Sequence, residues 1–66
     1  MNVTLNGAPA VLEDGATVRD VVRRLVAAER GVAVAVDRQV IPRSEWDHHA
    51  LRDGADIEVL TAAAGG

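Results

Sequence analysis

The chain predicts an α+β domain in which one main helix packs on one face of a mixed β-sheet. Three observations carry that expectation. Alternating apolar residues flank Asn6-Gly7, one stretch after Thr17 repeats its apolar residues at helical spacing, and residues 32–36 and 57–60 are dominated by valine, isoleucine, leucine and alanine. Sixty-six residues leave room for one domain with a modest core, since a chain this short hides only about 60% of its unfolded surface.

Met1, Val3 and Leu5 alternate with Asn2, Thr4 and Asn6, the period of a strand with one buried face. Asn6-Gly7 favours a two-residue hairpin turn, because both central positions need positive φ, and it would pair Val3 with Ala10 and Met1 with Leu12. Val11 then falls on the opposite face beside Asn2, and Glu13-Asp14-Gly15 turns the chain. Thr17 with Asp20 resembles a capping box and opens a helix with Val18, Val21, Val22, Leu25 and Val26 on one stripe. Asp20 and Arg24 stand four apart on the other face, and Gly31 is expected to supply a left-handed C-terminal cap.

Val32-Ala33-Val34-Ala35-Val36 is apolar throughout and reads as a strand with little solvent on either face. Asp37-Arg38 turns the chain, and Gln39-Val40-Ile41 makes a short strand that Pro42 ends or confines to an edge. Ser44 is expected to cap a short helical turn through Trp46, and Asp53-Gly54 precedes a last strand holding Ile57, Glu58, Val59 and Leu60. Apolar residues on both faces of that last strand place it inside the sheet, between the first and third strands. The arrangement is the β-grasp, or ubiquitin-like, fold: residues 1–61 as the domain and residues 62–66 as a flexible tail.

Several function classes fit poorly. All seven basic residues are arginines, the formal charge is −3, and the arginines are dispersed, so neither nucleic acid nor a membrane surface is an expected partner. Arg19, Arg23 and Arg24 read as the solvated face of the helix. Without cysteine there is no disulfide framework and no thiolate chemistry, so a reducing cytoplasm is the expected compartment, and no apolar run is long enough to span a bilayer. His48 and His49 are adjacent and cannot together chelate one metal, while Asp14, Asp37, Asp47, Asp53 and Asp56 sit beside turn signals. No catalytic group and no metal site is expected. Trp46, the single aromatic residue, most simply closes one end of the core, with a partner-facing anchor as the alternative. Leu60 and Val11 share the sheet face opposite the helix and are candidates for a partner-docking surface.

The sharpest feature is the closing Gly65-Gly66, which chance would produce in roughly 0.5% of chains. A carboxylate that must enter a narrow active site needs neighbours without side chains. The expected working group is therefore the Gly66 carboxylate, reached through Ala62, Ala63, Ala64 and Gly65.

With these residues in view, the whole chain resembles the ThiS family, the sulfur carriers of thiamine biosynthesis. The resemblance rests on the opening strand, Gly15-Ala16-Thr17-Val18, Val40-Ile41-Pro42-Arg43-Ser44-Glu45-Trp46, Asp53-Gly54-Ala55-Asp56 and Gly65-Gly66. The Pro42-to-Trp46 stretch discriminates best, since a terminal diglycine alone also fits ubiquitin and the small subunit of molybdopterin synthase. Ala62-Ala63-Ala64 departs from the bulkier apolar residues often found there. The resemblance implies that a ThiF-type enzyme uses ATP and magnesium to adenylate Gly66, that a sulfur donor protein displaces AMP to leave a thiocarboxylate, and that thiazole synthase, ThiG, receives the sulfur. The chain would act as a co-substrate with no bound cofactor of its own, and as a monomer when free. Alternatives are a carrier serving another cofactor or RNA thiolation, a protein modifier, which the absence of lysine disfavours, and a non-covalent interaction domain.

Overall fold

The computed structural model describes residues 1–62; Ala63, Ala64, Gly65 and Gly66 lie outside the described residues. The elements run β1 (Asn2–Leu5), β2 (Ala8–Val11), α1 (Val18–Leu25), β3 (Val32–Val36), β4 (Gln39–Val40), a 3-10 turn (Arg43–Glu45) and β5 (Asp56–Thr61). Sheet order is β2-β1-β5-β3-β4, with β5 parallel to β1 and antiparallel to β3. Among the described residues, the mixed sheet, the single α-helix and the central position of β5 are the β-grasp arrangement that the sequence predicts.

Asn6 and Gly7 take φ of 50° and 81°, the mirror-image turn that suits two twisted strands. The resulting register pairs Val3 with Ala10 and Asn2 with Val11, and reciprocal bonds between Met1 and Leu12 extend it by one residue. A second two-residue hairpin at Asp37-Arg38 joins β3 to β4, again with both residues at positive φ. It is tied to the start of β5, because the Asp37 N–H donates to the Asp56 carbonyl and the Asp56 N–H to the Asp37 carboxylate.

At eight residues α1 is too short to be stable alone, so packing must hold it. Val18, Val21 and Val22 are buried against Val3, Val34, Ile57 and Val59, each fully buried valine contributing about 2 kcal/mol of transfer free energy. Its first amides are all matched. Val18 donates to the His49 carbonyl, Arg19 to the Trp46 carbonyl and Asp20 to Thr17 Oγ1, while the Asp20 carboxylate accepts from the Thr17 N–H and completes the capping box. Leu12, Ala16, Val36, Ile41, Trp46, Leu51 and Ala55 complete the core.

Five expectations need correction. The helix ends at Leu25 with Val26 already extended, so Gly31 caps nothing, although its φ is positive. Leu25 is 43% exposed, which narrows the buried stripe. Arg24 donates to the Val11 carbonyl and has no bond to Asp20, whose carboxylate the cap occupies. Ser44 lies within the 3-10 turn, and Pro42 stands at its start without a side-chain cap. Only one face of β3 is fully covered, because nothing packs over Ala33, which is exposed, or Ala35. Among the described residues no helix is long and apolar enough to cross a membrane.

Candidate functional site

The last strand leaves the sheet from its middle. β5 is bonded to β1 on one side and to β3 on the other, the latter ladder ending at Val32 opposite Thr61. One further bond follows, from the Ala62 N–H to the Gly31 carbonyl at 2.8 Å. Ala62, expected to begin the tail, is therefore held at the sheet's end, and the four remaining tail positions lie outside the described residues.

Beside this exit the face opposite α1 carries exposed aliphatic side chains. Leu60 is 65% exposed and pairs with Ala33; Val40 is 74% exposed and pairs with Ala35, which also faces Glu58. Together they line a shallow recess of about 150 Å³. Sequence reasoning found Leu60 here but not Val40, because only the β3–β4 register brings Val40 alongside. Val11, 67% exposed on the same face, stands apart. It pairs with Asn2, two residues before Thr4 on β1, and Thr4 pairs with Asp56, four residues before Leu60 on β5, so Val11 and Leu60 are six strand positions apart. Six residues of strand are about 20 Å, so the two proposed docking residues mark opposite ends of the face.

Trp46 does not face a partner. It is 1% exposed, and its ring nitrogen donates to the Ile41 carbonyl at 2.9 Å, matching the one polar group a buried tryptophan must satisfy. The guanidiniums of Arg19 and Arg43 stand 5.4 and 5.9 Å from the ring centroid. Arg19 is thereby removed from the solvated face where its spacing put it. Its side chain is only 17% exposed and reaches both Glu29 and Asp47. Glu29 also pairs with Arg43 at 3.4 Å and more loosely with Arg23 at 3.8 Å. The hydrogen bond from Arg19, with the nearby charges of Arg43 and Arg23, holds the Glu29 carboxyl below the usual range, and Glu29 and Asp47 raise Arg19 in turn.

His48 is exposed and His49 half-buried, and both backbone amides donate to the Glu45 carbonyl. Asp53 accepts from the Asn2 N–H and Asp37 from the Asp56 N–H, so these acids join distant segments instead of bonding their own turns. Among the described residues no group of three or more histidine or acidic side chains could hold a metal ion.

A helix-backed mixed sheet whose central last strand runs into a diglycine terminus defines a ubiquitin-like β-grasp protein. The ThiS family model matches residues 3–66. Sulfur carrier protein ThiS of Escherichia coli is 30% identical over 66 residues, covering all of both chains. Sulfur carrier protein ThiS of Thermus thermophilus is 36% identical over 64 residues, 97% of this chain and 98% of that one. The crystal structure of the thiamine biosynthesis protein ThiS from Geobacter metallireducens is similar throughout, with a TM-score of 0.83, 30% identity and full coverage of both chains. The chain belongs to the ThiS family of sulfur carriers, small carrier proteins rather than catalysts.

Proposed function

We propose that this chain carries sulfur on its Gly66 carboxylate for the thiazole ring of thiamine. The observation that carries the reading is the central position of β5, which presents a diglycine terminus from a rigid strand in a member of the ThiS family. The carboxylate oxygen attacks the α-phosphorus of ATP on a ThiF-type adenylating enzyme, and pyrophosphate leaves. This mixed anhydride converts a poor electrophile into one with a good leaving group. Sulfur at the sulfide level, from a donor protein, then attacks the carbonyl carbon, and AMP leaves with the C–O electron pair. The thiocarboxylate passes to thiazole synthase, ThiG.

In this reading ATP and magnesium belong to the adenylating enzyme. The N-terminus of α1 is unsuited to phosphate, since its first amides are occupied and the Asp20 carboxylate lies against them. Work beside ATP and reduced sulfur places the chain in the cytoplasm, consistent with its lack of cysteine. Leu60 and Val40, next to the exit of the chain, form the part of the candidate docking face that a partner gripping the tail would meet.

Incubating the chain with ATP, sulfide and the adenylating enzyme, then with a thiol-alkylating reagent, tests the reading directly. A chain without cysteine offers no other thiol, so one label mapped to Gly66 by mass spectrometry is the expected result. No label, from an enzyme shown to activate another carrier, overturns it.

A further inference from the structure

The bond between Ala62 and Gly31 extends the β3–β5 ladder one step beyond its last strand pair. Gly31 is fixed by two requirements. Its φ of +66° is a conformation that side chains other than glycine's adopt with strain, and a Cβ placed on it would stand 3.2 Å from the Ala62 Cβ, tighter than ordinary contact. The connection bearing it is anchored as well. Glu29, two residues earlier, is ion-paired to Arg19 of α1 and to Arg43 of the 3-10 turn.

We propose that Gly31 and Ala62 form a clamp that fixes where the chain leaves the sheet, and that this clamp positions the Gly66 carboxylate for adenylation. The role in adenylation rests on the carrier reading above. Gly66 is the fourth residue beyond Ala62, so a held Ala62 confines the Gly66 Cα to within about 14 Å of it, whatever path the chain takes. An enzyme that grips the sheet face must find the Gly66 Cα inside that radius, with the carboxylate one bond beyond it. Releasing Ala62 moves the anchor back along β5, lengthens the tether by about 3.5 Å per residue and dilutes the in-line arrangement that phosphoryl attack needs. The clamp also accounts for a small residue at position 62, since its Cβ lies against the space a side chain at 31 would fill.

Three full-length chains test this: wild type, Gly31→Ala and Gly31→Ala/Ala62→Gly. For each, exchange of the backbone amide at position 62 is followed by NMR, and kcat and KM are measured in ATP–pyrophosphate exchange with a ThiF-type enzyme. We expect Gly31→Ala to speed exchange at position 62 about tenfold and to lower kcat/KM about tenfold. The double variant, relieved of the Cβ contact but still strained at position 31, should recover about half of each loss on a logarithmic scale, to within about threefold of wild type. Both variants carry the same left-handed strain at position 31, so if that strain and not the contact with Ala62 causes the loss they are equally impaired, and that result overturns the proposal. Faster exchange with unchanged kinetics also overturns it. If none of the three chains is activated while another carrier is, the carrier reading fails and the positioning role with it; an active wild type with equally active variants removes the positioning role alone.

Discussion

The two sides of the sheet use their residues in opposite ways. On the helix side the sole aromatic ring is buried with its N–H bonded to Ile41, two arginines stand over it, and Glu29 and Asp47 neutralise much of their charge. On the open side Leu60 and Val40 lie exposed beside Ala33 and Ala35, with Glu58 as the one charge in their recess. Residues with large apolar area and directional bonds, which elsewhere make binding hot spots, are here committed to holding the fold. In the proposed reading, recognition falls to the exposed aliphatic side chains of Leu60 and Val40, which the sheet holds in place. If the open face is the docking face, stability and partner binding are separated onto two faces, and substitutions on each should have opposite signatures.

The largest expected effect comes from removing the ring. Trp46→Ala should cost about 3–5 kcal/mol, the range for deleting a buried aromatic side chain. A domain of this size has a total stability of only about 3–10 kcal/mol. Urea denaturation followed by circular dichroism should therefore find the variant largely unfolded or close to it at 25 °C. A loss under about 1 kcal/mol would show that the core closes without the tryptophan.

The contrast between the faces also explains what was legible beforehand. The hairpin register followed from Asn6-Gly7 because that turn admits only one pairing of the flanking residues. β5 is central, as expected, through its ladders to β1 and β3, although the apolar pattern that suggested it holds on only one face, since Leu60 on the other is exposed; Trp46 could be assigned to the core on area alone. Arg19 could not be read, since helical spacing reports which residues share a stripe, not what a distant acid does to one of them. Its partners, Glu29 and Asp47, are 10 and 28 residues away. The end of α1 was hidden for a related reason. Ala27 and Ala28 favour helix locally, but Glu29 is drawn to Arg19 and Arg43, outside any helical path. Val40 and the separation of Val11 from Leu60 depend on pairings between strands, which no single strand encodes. Gly66, the centre of the functional reading, lies outside the described residues, so its role stands on its place in the sequence and on family membership.

Glu29→Gln sharpens the helix-side half of the comparison through pH. The carboxyl is held below its ordinary value of about 4.5, first by the Arg19 hydrogen bond and then by the charges of Arg43 and Arg23. A depressed folded-state pKa stabilises fully above the unfolded value and ceases to do so as pH falls through the folded one. Thermal melts of wild type and variant should differ by a constant amount from neutrality down to about pH 5, with wild type the more stable, and the difference should shrink as pH falls below the ordinary carboxyl value and through the lowered folded one. A difference that persists unchanged to pH 2 would mean that the ion pairs around Glu29 are not its source.

The smallest effect on stability, and the most selective effect on binding, belongs to the open face. Leu60→Ser and Val11→Ser both alter exposed side chains, so each should change unfolding free energy by no more than about 0.5 kcal/mol. Their effects on activation should differ. Leu60 adjoins the exit of the chain at Ala62, whereas Val11 lies about 20 Å along the strand direction at the far end of the face. A partner that receives the terminus while resting on the recess formed with Val40 must touch Leu60 and can dispense with Val11. Adenylation assays should show a raised KM for Leu60→Ser and wild-type kinetics for Val11→Ser. Equal losses in both would extend the docking surface across the whole open face, and equal indifference would place the grip entirely on the tail.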